Sequence, residues 1–197
     1  MNGTAMIENL RKSILALLTA SMLMVAPGAA NGKPQPGPRP AQRDGANDMD
    51  FNFGTWHTEI TRYPDPFGNP SKTVHMAGTV TVRPVWNGKA QFEEIEADGP
   101  SGHWRGGTMF LYDPAGHQWR QYFVAGSSGH FDAPTVGEYR DGNIEYYAQE
   151  DHAGRAVLIR GLWSAIKPDS HSYEEDLSDD GGRTWHPAFI GNLARIK

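Results

Sequence analysis

The sequence predicts an all-β domain over residues 50–197, built as a single antiparallel up-and-down barrel of about ten strands. Three observations carry this expectation. Strand-length runs of alternating apolar and polar residues follow one another from residue 54 onward. Clusters of Gly, Pro, Asn and Asp separate them at short intervals, as hairpin turns do. No stretch after residue 50 holds a helical period for three turns, and 23 glycines, 14 prolines and an aromatic content of 11 % suit strands and turns better than helices. An immunoglobulin-like sandwich is the competing all-β arrangement; consecutive tight hairpins favour the meander.

Taken in order, residues 1–30 precede this region with a different pattern. Arg11 and Lys12 lead into an apolar run over 13–26, followed by Pro27-Gly28-Ala29-Ala30. That is the layout of a secretory signal with cleavage after Ala30, and the run is short for a membrane span. A retained anchor helix is the alternative. Residues 31–49 carry four prolines in their first ten positions and few apolar side chains, so a Pro/Gly-rich disordered linker is expected there.

The first strand, 54–63, sets Trp56, Thr58 and Ile60 on one face and Thr55, His57, Glu59 and Thr61 on the other. The second, 73–83, aligns Val74, Met76, Val80 and Val82, and Pro84 closes it. Asn87-Gly88 signals a hairpin. In the third, 90–97, facing stays open: if Phe92 points inward so do Glu94 and Glu96, and if Ile95 does, Glu93 follows. The fourth, 103–112, aligns Trp104, Thr108, Phe110 and Tyr112; the fifth, 118–125, sets Trp119, Gln121 and Phe123 opposite Arg120, Tyr122 and Val124. One helical turn is expected near 131–134. The sixth (135–140) and seventh (144–149) meet at Asp141-Gly142-Asn143. The eighth, 156–166, is apolar on both faces and reads as covered. The ninth, 171–178, puts His171, Tyr173 and Glu175 on one face, and the tenth runs over 184–196.

Composition excludes several functions. The formal charge is −5, with no Lys/Arg cluster interleaved with aromatics, so a nucleic-acid partner is not expected. After signal cleavage no membrane association is expected, which gives a periplasmic or secreted protein. There is no cysteine, hence no disulfide, thiolate metal site or Cys nucleophile. The eight histidines show no local ligand spacing, and no metal site is assigned. A Gly-x-Ser-x-Gly elbow is also lacking. Oligomeric state is not legible.

Gly54-x-Trp56 at the entrance of the first strand resembles the signature of the calycins, the group containing lipocalins and fatty-acid-binding proteins. The resemblance implies an Arg or Lys on the last strand over that Trp, and Arg195 stands in the corresponding place. Asp50-Phe51-x-Phe53-Gly54-Thr55-Trp56, Tyr112-Asp113-Pro114, Trp119-Arg120-Gln121 and Ser178-x-Asp180-Gly181-Gly182-x-Thr184-Trp185 together resemble DUF1579, a lipocalin-like bacterial family of unknown function. That likeness implies the barrel and an exported protein, and carries over no catalytic residue. The last of these runs is also similar to the Asp-box of sialidase propellers; it occurs once here, so it reads as a capped turn.

The expected function is capture of a small, partly apolar ligand in the lumen. Glu94, Trp119, Gln121, Arg160, Tyr173 and Glu175 are the candidate contacts, because a carboxylate shut in an apolar barrel needs a partner or a raised pKa. Trp104, Phe123, Tyr146 and Trp163 join the aromatic walls. One alternative is an enzyme, an isomerase, lyase or hydrolase, working through lumen acid/base residues such as Glu94 with His171, or Glu175. No cofactor is predicted; a lower alternative is a haem-binding barrel using His186. A third is a filled barrel that serves as a partner-binding module.

Overall fold

The computed structural model describes residues 43–152 and 154–197; the expected signal segment and residues 31–42 lie outside them. The ten strands are β1 (Gly54–Arg62), β2 (Val74–Val85), β3 (Ala90–Gly99), β4 (Gly102–Asp113), β5 (Gln118–Ala125), β6 (Thr135–Arg140), β7 (Asn143–His152), β8 (Arg155–Lys167), β9 (Ser170–Ser178) and β10 (His186–Arg195). Every neighbour is antiparallel and consecutive, and β1 pairs with both β2 and β10, so the sheet closes on itself as a barrel. Closure removes the exposed strand edge that an open meander would present.

The expected alternation sets the inward faces. On β1, Trp56 and Ile60 are buried while His57 and Glu59 are exposed. Gly78 of β2 sits where a Cβ would fall 1.9 Å from the Glu96 carbonyl oxygen, so only glycine lets β2 bend this closely against β3. Three expectations change. β2 continues through Pro84 to Val85, which a barrel tolerates at a strand end. Residues 131–134 form no helical turn; among the described residues the one short helix is a 3-10 turn at Asp50–Asn52. The stretch assigned to the linker is structured at its end: Met49 has no exposed surface, and the backbone from Asp48 to Phe53 closes a series of tight turns.

That stretch seals one end of the barrel, the floor. Trp119 Nε1 donates to Gly45 O (2.9 Å), Gln91 Nε2 to Met49 O (2.9 Å), and Tyr112 Oη to Asp44 Oδ1 (2.7 Å). Met49, Trp56, Phe110, Trp119, Ile144 and Tyr146 fill the half of the lumen above it. Arg195 lies 3.9 Å from the Trp56 ring centroid and donates to the carbonyls of Phe53 (3.0 Å) and Pro168 (2.8 Å). Gly54, at φ +120°, leaves room for the guanidinium; a Cβ there would sit 2.6 Å from Arg195 Nη1.

The outer face of β8 is covered in part: Leu158 lies near Gly182, and Leu158 and Leu162 are half-buried. The β9–β10 connection folds over it. Asp180 accepts from Ser178 Oγ (2.8 Å) and from Thr184 N and Oγ1 (3.0 and 2.7 Å), holding the turn. Those bonds keep the Asp180 carboxyl far below the usual range. Trp185 then lies under Arg160, 4.7 Å from its guanidinium.

Candidate functional site

The other half of the barrel is hollow. A cavity of about 320 Å³ runs from the middle of the lumen to the mouth, rimmed by residues 62–64, 66, 132–133, 150 and 152. Trp104, Phe123, Trp163, Tyr173 and Phe189 wall it, with Val80, Ile95, Ile159 and Leu193 between them. Thr58, Glu93, Thr108, Gln121, Thr135 and Glu175 supply its polar surface.

Facing on β3 decides which carboxylate enters. Ile95 and Glu93 are buried, so they face in with Gln91 and Ala97, and Glu94 points out. Glu94 therefore leaves the candidate set: it is exposed and ion-paired with Arg83 across the outer surface. Phe92 goes out with it, and its ring lies against Gly107 of the neighbouring strand. Glu93 Oε1 accepts from Thr108 Oγ1 (3.2 Å) and Oε2 from Asn52 Nδ2 (3.3 Å). Burial raises this carboxyl from 4.5 to about 6, and the two hydrogen bonds hold it back from rising further.

Glu175 enters higher up. It accepts no hydrogen bond among the described residues, and burial, then the charge of Glu150, raises it from 4.5 to about 7 against the pull of Arg62. Two residues below it on the same face, the Tyr173 hydroxyl accepts from Gln121 Nε2 (3.1 Å), a bond that spans the lumen from β9 to β5. Burial lifts the Tyr173 hydroxyl well above 10. Gln121 Oε1, Thr135 Oγ1 and Trp163 Nε1 are buried and have no hydrogen-bond partner among the described residues. An unpaired buried polar atom costs about 1–3 kcal/mol, so these atoms mark places where a ligand's polar groups gain most.

The remaining candidates fall elsewhere. Arg160 points outward, because the apolar Val157, Ile159 and Trp163 of the same strand take the inward positions. It donates to Asp176 Oδ2 through Nε (3.1 Å) and Nη2 (2.6 Å). Trp119 belongs to the filled half and to the floor. So does Tyr146, which has no exposed surface. His171 is packed between Phe51, Trp56 and Trp163, at 5.1, 4.3 and 5.4 Å between ring centroids. Burial, then the nearby Arg195, lowers it from 6.5 to about 4, so it is neutral at pH 7, and neither ring nitrogen is hydrogen-bonded among the described residues. Glu94 and His171 thus form no acid/base pair. His186 packs on Phe67 (5.2 Å between centroids) and does not line the cavity, a poor position for an axial haem ligand. Among the described residues no group of three or more His, Asp or Glu gathers to hold a metal ion.

Comparison with known proteins gives a likeness of shape. No protein-family profile matches the chain, and no curated protein does. An S-type phycobiliprotein lyase from Guillardia theta superposes with a TM-score of 0.54 at 10 % identity, over 79 % of this chain and 94 % of the lyase. A de novo designed fluorescence-activating β-barrel aligns over 79 % of this chain and 100 % of its own, at 15 % identity and a TM-score of 0.41. With ten antiparallel strands closed in sequence order and a Trp–Arg pair at the floor, the chain has the fold of a calycin-like up-and-down barrel.

Proposed function

We propose that the protein binds a small, partly apolar molecule in the upper half of its lumen. The observation that carries this is the 320 Å³ cavity itself. Protein interiors pack to near-crystalline density, and a space of this size inside a small barrel forfeits contacts that a filled core would make. It lies within the lower range of ligand sites, about 300–1,000 Å³. Aromatic walls with a few unpartnered polar atoms are the usual make-up of such sites. Export to the periplasm or beyond belongs to the same reading, supported by the charged, apolar and small-residue segments of residues 1–30. Membership of the DUF1579 family does too, supported by the motif succession from Asp50 to Trp185.

Native mass spectrometry of the purified full chain, with an absorption spectrum, tests the reading. A bound mass released on denaturation supports it, and an intense band near the violet redirects it toward haem. A titration with a neutral solvatochromic dye gives the second measurement. Dye binding that Thr135→Trp abolishes places the ligand in the lumen. A ligand-free mass together with no dye binding overturns the proposal.

A second reading, a small-molecule enzyme, is favoured by one observation. Glu93 and Glu175 both reach the lumen with carboxyls raised to about 6 and about 7, in the range where a group exchanges protons near neutral pH. Turnover lost in both Glu93→Gln and Glu175→Gln, with dye binding retained, would favour it.

A further inference from the structure

Resting on the lumen-binding reading, we infer that the ligand carries a protonated amine, seated against Glu175 with its apolar body between Trp163, Phe189 and Phe123. The charges around the cavity argue for it. Glu93, Glu175, Glu150 and Asp132 line it or its rim, against Arg62 and His152. A carboxylate or phosphate ligand would meet four acidic side chains to one arginine and one histidine.

The hydrogen-bonding inventory points the same way. Gln121 is 9 % exposed, and its amide nitrogen is spent on Tyr173, which leaves Oε1 as an unpaired acceptor. Thr135, 8 % exposed, presents an unpaired Oγ1. The Glu175 carboxylate is the third acceptor, and among the described residues the donors of this cavity without an acceptor are Trp163 Nε1 and the Thr135 and Tyr173 hydroxyls. An ammonium brings donors and no acceptor, so it suits Gln121 Oε1 and the Glu175 carboxylate, and the hydroxyls can turn their lone pairs to it.

The aromatic walls add to the match. Phe189 stands opposite Glu175 in the β9–β10 register, and Trp163 packs on Tyr173 at 4.8 Å between centroids. A desolvated cation gains from such ring faces. The elevated carboxyl of Glu175, raised by burial and by Glu150, Asp132 and Asp176 with Arg62 opposing, is the response of a buried anion that lacks a cation.

The test uses three probes of one shape at pH 8: 3-phenylpropylamine, 3-phenylpropan-1-ol and 3-phenylpropanoate, each displacing the neutral dye from the full chain. In the wild type the amine is expected to bind at least tenfold tighter than the alcohol, with the carboxylate weakest. Glu175→Gln should bring the amine to within about twofold of the alcohol, the two being compared within the same variant. The pair Glu150→Gln and Asp132→Asn, at the rim, should narrow the preference partway and keeps the test independent of how one variant folds. Equal affinities for amine and alcohol, or tightest binding of the carboxylate, overturn the amine assignment while lumen binding stands. No displaceable dye binding at all overturns both.

Discussion

Replacing Glu175 by glutamine is expected to stabilise the barrel in alkali and leave its stability unchanged in acid. The carboxyl sits at about 7 in the folded protein against an ordinary 4.5, and burial is the main cause. Below pH 4.5 both folded and unfolded chains hold the proton, so there is no cost. Between pH 4.5 and 7 the unfolded chain releases its proton while the native protein keeps it, and native stability falls as pH rises. Above pH 7 the native protein carries the desolvated charge in full. At 1.36 kcal/mol per pH unit the whole window is worth about 3 kcal/mol. The cavity opens at the mouth and screens part of this, so the expected gain at pH 8.5 is about 1–3 kcal/mol. Glutamine has nearly the same volume and cannot titrate. Urea unfolding of both proteins at pH 4 and pH 8.5 reads the difference directly, and every other titrating group cancels between them. Equal stability at pH 8.5 would refute the reasoning, since it would mean that the carboxylate is hydrated or paired. So would the same gain at both pH values, which would assign the effect to packing.

Other perturbations probe the floor. His171, lowered from 6.5 to about 4, contributes stability that is fully present above pH 6.5 and is lost as pH falls toward 4, about 3 kcal/mol in all; in urea unfolding at pH 7 and pH 4, His171→Phe should flatten that acid loss, and an unchanged loss would count against it. Arg195→Ala removes the contact with Trp56 and three carbonyl bonds, to Pro168, Phe53 and Phe51, and should cost about 2–4 kcal/mol in thermal unfolding, with Arg195→Lys recovering less than half, because an ammonium cannot keep the same fork of donors. Met49→Ala should cost about 2–5 kcal/mol although the residue precedes the first strand, and a cost under 1 kcal/mol would show that the floor segment is not part of the folded core.

The strand pattern was legible because most strands carry a one-sided apolar alternation. β5 and β6 fall on the residues that alternation and turn chemistry gave, Gln118–Ala125 and Thr135–Arg140. β3 was not legible in its facing, since Phe92 and Ile95 are both apolar and lie on opposite faces. The answer lay on the next strand: Gly107 opens a groove on the outer surface that accepts the Phe92 ring, which leaves Ile95 and Glu93 to the lumen. The facing of Arg160 was not legible either, because Leu158 and Leu162 on its own face are as apolar as Ile159 and Trp163 on the other. The floor segment gave no signal, because Met49 is a single apolar residue after a Pro-rich stretch, and only the barrel it enters makes it a core residue.

The hollow half also has a sequence cause, visible once facing is known. In the filled half, the inward positions hold Trp56, Phe110, Trp119, Ile144 and Tyr146. Higher up, the inward positions of several strands are small: Thr58, Gly106, Thr108, Thr135, Gly161 and Gly191. The large rings at that level lie across these glycines. A Cβ on Gly161 would meet the Tyr173 hydroxyl at 2.8 Å, one on Gly106 the Phe123 ring at 2.8 Å, and one on Gly191 the Phe189 ring at 3.3 Å. Each glycine thus leaves its aromatic neighbour room that a larger side chain would take, and Tyr173 uses it while reaching across the lumen to Gln121. Larger side chains at these positions would push the rings inward and close the cavity, as the lower half already is. Inward glycines beside aromatic residues are therefore the sequence feature that goes with the hollow half of this barrel.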